Sequence, residues 1–243
     1  MVLMTTPDFM VIAHRGASSY APENTLAAFD LAIQMGVSHI ELDVHSTRDD
    51  HVVVIHDETV NRTTNGSGPV TSHALAALQG LDAGSWFGGK FAGQRIPTFE
   101  EVLERYQGRA HLHTEIKGHS AHLSQRTADL VRRRGMAGQV TITSFQRIRL
   151  EEARAHAPEL PCGWLVTEVS DATIAQARAL GLSQLCPRAN AVTPELVHRL
   201  HAEGFVVRAW GVATEDQMRQ VVQAGADGMI VNFPDRLLAY LKS

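Results

Sequence analysis

The chain has 243 residues, of which 44% are hydrophobic and 20% are charged, and its formal net charge is −4. This balance is typical of a globular protein, and the absence of a Lys/Arg run argues against nucleic acid as a partner. No apolar stretch is long enough to span a bilayer, and the first residues lack the features of a signal peptide. We therefore expect a cytoplasmic protein with no stable membrane insertion that acts on a small molecule.

Short β-branched segments alternate with longer amphipathic segments along the chain. Strands are predicted, in chain order, near Met10–His14, Val37–Val44, His51–His56, His111–Lys117, Val140–Ser144, Cys162–Val166, Gln184–Pro187, Phe205–Gly211 and Gly228–Val231. Helices are predicted near Thr25–Met35, Phe99–Tyr106, Ser120–Arg134, Gln146–His156, Asp171–Leu180, Pro194–Glu203, Glu215–Ala224 and Pro234–Leu241. Several of these helices start at residues suited to capping, such as Thr193 and Thr214.

The alternation of strands and helices implies parallel strand pairing. Eight strand–helix units favour closure into a (βα)₈ TIM barrel, which takes about 250 residues, so we interpret residues 1–243 as one barrel domain. An open doubly wound sheet is the alternative, but no glycine-rich phosphate-binding pattern opens the first helix. The two cysteines, Cys162 and Cys186, follow or end apolar segments, which favours buried free thiols over a disulfide.

Two segments break the alternation. The run near His51–His56 follows a turn-like segment, so it either continues the second strand after a kink or pairs with that strand as a hairpin. Residues 57–97 are rich in Gly, Ser, Thr and Asn, and loops this long in a compact domain are usually functional or disordered. Because Trp86, Phe87 and Phe91 lie in this segment, we expect a small folded insertion after the second strand that covers the mouth of the site.

Three acidic residues stand at the ends of predicted strands. Glu41 and Asp43 end the second strand two residues apart, so both side chains point into the barrel. Glu115 and Lys117, also two residues apart, end the predicted strand His111–Lys117. Solvated carboxylates, or a structural Glu115–Lys117 ion pair, would explain each pair alone. Three converging carboxylates together predict a site for one hard divalent cation, either Mg²⁺ or Ca²⁺, with Mn²⁺ also suitable.

Histidines and basic residues also stand at strand ends. His14 and Arg15 end the first strand, and His56 ends the run before the insertion. Histidine transfers protons near neutral pH, and a guanidinium group offers forked donors that match phosphate oxygens. A lone His-Arg pair would more often be incidental. Two histidines, a carboxylate cluster and the cations Arg15 and Lys117 together favour phosphoryl transfer, with an acid, a base, a metal and charge clamps.

Three further histidines, His45, His111 and His113, have the same strand parity as this cluster. We expect His45 and His113 to hydrogen bond the metal ligands, and His111 to lie lower in the barrel. A zinc site of two histidines and a carboxylate is a less favoured interpretation of the same cluster. Trp210 lies near the end of the predicted strand Phe205–Gly211. We interpret it as an apolar wall for the glycerol or alcohol part of a substrate, with a role in capping the core as the alternative.

Eight short motifs run in order along nearly the whole chain: HRG at His14–Gly16, PENT at Pro22–Thr25, ELDV at Glu41–Val44, IHD at Ile55–Asp57, RTTNGSG at Arg62–Gly68, LDAG at Leu81–Gly84, IPTFEEVL at Ile96–Leu103 and EIK at Glu115–Lys117. Each motif alone is weak, but the ordered set is highly specific. It resembles the glycerophosphodiester phosphodiesterase family, and the short chain looks like its bacterial cytosolic members.

The resemblance implies a TIM barrel with an insertion after the second strand and hydrolysis of a glycerophosphodiester to glycerol 3-phosphate and an alcohol. It implies metal ligation by Glu41, Asp43 and Glu115, acid–base catalysis by His14 and His56, and phosphate contacts by Arg15 and Lys117.

The chain departs from the family pattern in four places. The family commonly has Thr-Asp where Val231 and Asn232 stand, Thr-Val-Asn in place of Gly211–Ala213, an amide in place of His113, and Gln or a similar residue in place of His45. We expect these changes to alter the alcohol pocket and to leave the metal ligands and acid–base residues intact.

Two other functions remain to be compared. A non-catalytic phosphoester-binding barrel would have lost an acid–base or metal residue, and none is lost here. A lyase acting on lysolipids would share this type of site, and the aromatic residues of the insertion keep that alternative open. The sequence leaves open which histidine is the acid, whether a glycerol hydroxyl attacks to form a cyclic phosphate, and which alcohol and metal are used.

Overall fold

The computed structural model describes residues 9–243, and its central feature is a closed barrel of eight parallel strands. The barrel strands are β1 (Met10–His14), β2 (His39–Ser46), β4 (His111–Ile116), β5 (Val140–Ser144), β6 (Cys162–Val166), β7 (Gln184–Pro187), β8 (Val206–Ala209) and β9 (Gly228–Val231). Each strand pairs with the next in this order, and β9 pairs with β1 to close the barrel. The predicted TIM barrel is confirmed.

Helices surround the barrel and bury apolar faces against it. They are α1 (Leu26–Gln34), α3 (Phe99–Tyr106), α4 (Leu123–Arg133), α5 (Arg147–His156), α6 (Asp171–Ala179), α7 (Pro194–Ala202), α8 (Glu215–Gln223) and α9 (Pro234–Leu241), while the short α2 (Leu75–Gln79) lies in the segment between β3 (Val52–Val54) and α3. Thr25, Thr193 and Thr214 accept the expected capping hydrogen bonds, each of which stabilises a helix start by about 1 kcal/mol. Helix α4 begins later than predicted because His122 has a left-handed backbone, with φ of 62°, which a right-handed helix excludes.

Alternation along β2 places the acidic residues inside the barrel. Ile40, Leu42 and Val44 are fully buried in the apolar core between the barrel and the helices, where each side chain contributes about 1.5–3 kcal/mol. Glu41 and Asp43 therefore point to the other side, into the barrel. A shift by one residue would exchange these two sets of side chains, so the apolar core fixes the direction of both carboxylates.

The chain folds back after β2. Strand β3 (Val52–Val54) pairs antiparallel with the end of β2, and Val54 lies opposite Val44. The turn between the two strands contains Asp50 with a left-handed φ of 69°. The hairpin interpretation is therefore confirmed, and continuation of the second strand is wrong.

The segment between β3 and α3 is folded, as expected. It contains α2 and two short 3₁₀ turns, Val70–Ser72 and Gly89–Phe91. The Asp82 carboxylate accepts hydrogen bonds from backbone N–H groups on both sides of a loop. A separate small apolar cluster holds the segment together: Val53, Ile55, Val60, Val70, Leu78, Ala83 and Ile96.

Two expectations from composition can be compared with the structure. Cys162 and Cys186 are buried free thiols, as predicted. Between residues 9 and 243, no helix combines the length and apolar character needed to cross a membrane.

Candidate active site

Strand register brings the predicted acidic residues together at one end of the barrel. Asp43 on β2 is paired with Glu115 on β4, and Glu41 is paired with His14 on β1. Because the inward side chains of paired strands lie next to one another, three neighbouring strands supply one cluster. One carboxylate oxygen from each of Glu41, Asp43 and Glu115 lies within 4.8 Å of those from the other two.

The three carboxylates are buried, with exposed fractions of only 2%, 1% and 7% for Glu41, Asp43 and Glu115. Burial, followed by repulsion from Asp43, raises the pKa of Glu41 well above its usual value and that of Glu115 to about 7. Asp43 Oδ1 is buried without a hydrogen-bond partner in the described structure. Buried anionic oxygens of this kind are stable only when a cation or donor meets them, so the cluster fits a hard divalent cation.

The other oxygen of Asp43 is held firmly. Asn24 Nδ2 donates to Asp43 Oδ2 over 2.8 Å, and the Asp43 N–H donates to Asn24 Oδ1 over 3.3 Å. Arg15 Nε lies 3.3 Å from the same Oδ2. These contacts orient the carboxylate so that the unpaired Oδ1 remains for another ligand.

The turn after β1 positions Arg15. Its backbone N–H donates to Glu41 Oε2 over 2.9 Å, and its Nη1 donates to Glu23 Oε1 over 2.8 Å. The turn requires glycine at position 16, because φ is +84° and a Cβ atom there would lie 2.6 Å from the backbone carbon of Ala28. Close packing of this turn on α1 thus fixes the guanidinium beside the carboxylates.

The two predicted catalytic histidines line one cavity and are oriented through the same ring atom. His14 Nδ1 lies 2.5 Å from Asn232 Oδ1, and His56 Nδ1 lies 2.6 Å from Asp57 Oδ1. Burial and the adjacent Arg15 lower the pKa of His14, although 31% of its side chain remains exposed. Because both acceptors are oxygen atoms, each Nδ1 donates a proton, and Nε2 is left to exchange protons with a ligand.

An ion-pair network that the sequence did not reveal connects the two sides of the site. Arg62 donates two hydrogen bonds of 2.8 Å to Asp57 and two of 2.8 Å to Glu23. Hydrogen bonds from Arg62 hold the pKa of Asp57 far below its usual value. Glu23 in turn accepts from Arg15, so a continuous chain of hydrogen-bonded side chains runs from His56 through Asp57, Arg62 and Glu23 to Arg15. The PENT and RTTNGSG motifs contain Glu23 and Arg62, but nothing in the motifs indicated their pairing.

Asn232 was also missed as a site residue. It stands at one of the departures from the family pattern, which we expected to affect the alcohol pocket alone. Its contact with His14 shows that this departure adjoins a predicted acid–base residue as well.

A cavity of about 360 Å³ is lined by Glu41 and Glu115 together with basic, polar and apolar side chains. The predicted residues that line it are His14, Arg15, Glu41, His56, Glu115, Lys117 and Trp210. Trp210 Nε1 donates to the Val166 carbonyl over 3.0 Å, and its ring meets Phe145 edge to face at 4.8 Å between centroids. Lys117 Nζ lies 3.3 Å from Glu115 Oε1.

The insertion borders the site without lining this cavity, and its Glu58 lines an adjoining cavity together with His56, Glu115 and Lys117. None of residues 57–97 is among those that line the cavity of about 360 Å³. Phe87 meets Trp86 and Phe91 edge to face, each pair with 5.5 Å between ring centroids, so the three rings pack on one another. Phe91 also lines a separate cavity beside Leu26 of α1. The aromatic residues that kept the lysolipid lyase open therefore lie away from the site.

The remaining histidines differ in position. His45 Nε2 lies 3.0 Å from the His56 carbonyl, so His45 holds the segment that carries His56 instead of a metal ligand. His113 is fully buried and stands two residues before Glu115 on β4, and its Nε2 lies 3.1 Å from His39 Nδ1. The expectation that both hydrogen bond the metal ligands is wrong, because each ring is directed to a different neighbour. His111 lies lower in the barrel, as expected, beside Thr141.

Comparison with known proteins connects this geometry to a family. The model described as "Glycerophosphoryl diester phosphodiesterase family" matches residues 14–236. A glycerophosphodiester phosphodiesterase of Caldanaerobacter subterraneus is 38% identical over 233 residues, covering 94% of this chain and 96% of that protein. One of Bacillus subtilis is 32% identical over 254 residues, covering 96% of this chain and 86% of that protein.

Solved structures show the same fold. An Oleispira antarctica phosphodiesterase, solved in complex with the product sn-glycerol-3-phosphate, has a TM-score of 0.88 and 30% identity, with 96% of each chain covered. A glycerophosphodiester phosphodiesterase from Agrobacterium tumefaciens has a TM-score of 0.86 and 31% identity, with 94% of this chain and 98% of that chain covered.

Proposed function

This chain belongs to the glycerophosphoryl diester phosphodiesterase family, and we propose that it hydrolyses glycerophosphodiesters to glycerol 3-phosphate and an alcohol, using a divalent cation and two catalytic histidines. The observation that carries the proposal is that His14 and His56 line one cavity together with Glu41 and Glu115, two members of the buried cluster of three carboxylates. The Oleispira neighbour supports the choice of product, because it was solved with sn-glycerol-3-phosphate.

In this proposal Glu41, Asp43 and Glu115 hold the cation. Three carboxylates suit Mg²⁺, Ca²⁺ or Mn²⁺, and the unpaired Asp43 Oδ1 supports the fit. When bound, the cation supplies positive charge that stabilises the negative charge developing on phosphate oxygens. A cation would also allow all three carboxylates to ionise despite their burial.

His14 and His56 perform the proton transfers. One histidine accepts a proton at Nε2 from the attacking hydroxyl as the new P–O bond forms; this hydroxyl is that of water, or that of the glycerol group if water then hydrolyses the resulting cyclic phosphate to glycerol 3-phosphate. The other donates a proton from Nε2 to the oxygen of the departing alcohol as the old P–O bond breaks. Asn232 and Asp57 hold the opposite nitrogen of each ring, which supports the use of Nε2 in both cases.

Arg15 and Lys117 bind the phosphate in this proposal. Both side chains line the cavity. Arg15 Nε lies 3.3 Å from Asp43 Oδ2, and Lys117 Nζ lies 3.3 Å from Glu115 Oε1. Fixed donors at these positions offset charge on the phosphate without needing to reorganise during the reaction. Trp210 contributes an apolar surface on the opposite wall.

The proposal is tested by measuring release of glycerol 3-phosphate from glycerophosphodiesters with the metal varied. His14→Ala and His56→Ala should each lower kcat by at least about 10²-fold. His198→Ala, which removes an exposed histidine of α7, is the matched control and should retain full activity. Near-normal turnover by either site variant would refute the assigned role of that histidine, and absence of glycerol 3-phosphate from wild-type reactions would refute the activity.

A further inference from the structure

Two aromatic rings form part of the cavity wall. Phe145 and Trp210 meet edge to face, with ring planes at 89°. The hydrogen bond from Trp210 Nε1 to the Val166 carbonyl fixes the indole. Aromatic faces such as these attract quaternary ammonium groups, so composition alone would favour a choline-like alcohol.

Each of these rings already has a protein cation beside it. Lys117 Nζ lies 5.9 Å from the centroid of Phe145, and Arg188 Cζ lies 5.7 Å from the centroid of Trp210. Both distances fall within about 6 Å, the range in which a cation interacts with a ring. Lys117 is ion-paired with Glu115 over 3.3 Å, so Arg188 is the cation whose charge a positively charged alcohol would meet.

Arg188 stands at the edge of the cavity. It follows β7, is exposed, and lies along Gly211, since a Cβ atom on Gly211 would be 3.7 Å from Arg188 Cγ. Gly211 itself lines the cavity. Within residues 9–243, no carboxylate lies within ion-pair distance of Arg188, so its charge is not neutralised by a neighbour.

No acidic residue of the wall is available to attract a cationic alcohol. Within the described chain, the carboxylates that line the cavity are Glu41 and Glu115, and both belong to the proposed metal site. Besides His14, Arg15, His56, Lys117 and Asn232, the rest of the lining consists of apolar residues and glycine: Phe145, Leu165, Trp210, Gly211, Val212, Ala213 and Ile230.

We propose that the enzyme prefers glycerophosphodiesters whose alcohol carries no positive charge, and that Arg188 is the residue that disfavours cationic alcohols. This inference rests on the proposed function of the same cavity. Arg188 Cζ lies 5.7 Å from the Trp210 ring centroid, so an alcohol cation placed on that ring would lie several ångströms from the guanidinium. Repulsion over such a distance at a protein surface changes a binding or rate constant by about 3- to 10-fold. An uncharged or anionic alcohol does not experience this repulsion.

The test uses two diesters of glycerol phosphate that differ in one charge. One carries choline, and the other carries 3,3-dimethylbutan-1-ol, in which carbon replaces the ammonium nitrogen at nearly constant shape. We measure kcat/KM for both with the metal-loaded enzyme. The neutral diester should be preferred by about 3- to 10-fold, and the preference should shrink at high ionic strength because salt screens exposed charges.

Variants assign the effect to Arg188. Arg188→Gln should bring the ratio of the two kcat/KM values toward one, and Arg188→Glu should reverse it in favour of choline. The matched control is Arg133→Gln at the exposed end of α4, which changes net charge equally at the opposite end of the barrel and should leave the ratio unchanged.

Each contrary result has a distinct meaning. A wild-type preference for choline would overturn the inference and identify Phe145 and Trp210 as an ammonium site. A neutral preference that persists in Arg188→Glu would overturn the role of Arg188. Failure of the wild-type enzyme to release glycerol 3-phosphate from either diester would refute the proposed function, and this inference with it.

Discussion

His56 Nδ1 lies 2.6 Å from Asp57 Oδ1, so the residue that follows the histidine fixes its ring. Arg62 holds the same carboxylate through two further hydrogen bonds. The orientation of a proposed catalytic group therefore depends on an ion pair formed by the insertion. A substitution at Asp57 therefore tests the orientation of His56 while the imidazole itself stays in place.

Asp57→Asn should lower kcat by at least about 10-fold with a smaller change in KM, because the amide supports the wrong tautomer and holds the ring less firmly. Steady-state kinetics on a glycerophosphodiester measures both constants. Asp129→Asn breaks a similar pair with His156, of 2.7 Å, on the outer surface and serves as the control. Equal kinetics for Asp57→Asn and Asp129→Asn would show that Asp57 does not position His56.

Asn232→Leu should lower kcat by about 3- to 10-fold, because His14 loses a hydrogen bond worth about 1 kcal/mol while the space stays filled. Gln107→Leu removes an exposed amide that hydrogen bonds elsewhere, to the Arg134 carbonyl, and is the control. The same kinetic assay distinguishes them. An unchanged kcat in Asn232→Leu would show that the hydrogen bond from His14 to Asn232 does not orient His14 for catalysis.

In metal-free protein, Glu115→Gln should become more stabilising relative to wild type as pH rises from about 4.5 to about 7. The folded state raises the pKa of Glu115 to about 7, through burial first and Asp43 second. The folded chain therefore holds the proton of Glu115 more tightly than the unfolded chain does. The contribution of Glu115 to the free energy of unfolding falls as pH rises through this window. The difference between the two proteins isolates Glu115 from histidines such as His14, His111 and His113, whose pKa values are lowered by burial and which act in the opposite direction.

Chemical denaturation with chelator present, at several pH values, measures this difference, which we expect to reach about 1–3 kcal/mol. Added divalent cation should reverse it, because the wild-type cluster then gains a ligand that the variant binds less well. A difference that does not vary with pH would contradict the raised pKa of Glu115.

Gly16→Ala should destabilise the fold by about 1–3 kcal/mol more than Gly135→Ala. Both glycines have positive φ, but a Cβ atom at position 16 would lie 2.6 Å from the Ala28 backbone, while nothing lies within 4 Å at position 135. The comparison therefore separates steric overlap from backbone strain, and urea unfolding measures it. Equal destabilisation would show that the turn after β1 can move away from α1.

The residues at strand ends could be predicted because two regular patterns determine their positions. Alternation along β2 separates Leu42 from Glu41 and Asp43, and parallel pairing then sets Asp43 beside Glu115. Alternation is a local property of one strand, and the order of strands and helices along the chain implies parallel pairing, so the sequence indicates both patterns.

Contacts between loops could not be predicted in the same way. Arg62 reaches Glu23 across 39 residues, and His14 reaches Asn232 across 218, and no periodicity relates such positions. Composition indicated correctly that the insertion is folded, but it did not indicate which surface its aromatic rings would pack against.

The most direct test of the account is the release of glycerol 3-phosphate by enzyme freed of metal with chelator, with and without added Mg²⁺, Ca²⁺ or Mn²⁺. We predict no release from the metal-free enzyme and recovery with at least one of these cations, because Glu41, Asp43 and Glu115 are proposed to hold it. Wild-type release by protein shown by elemental analysis to contain no metal would contradict the account.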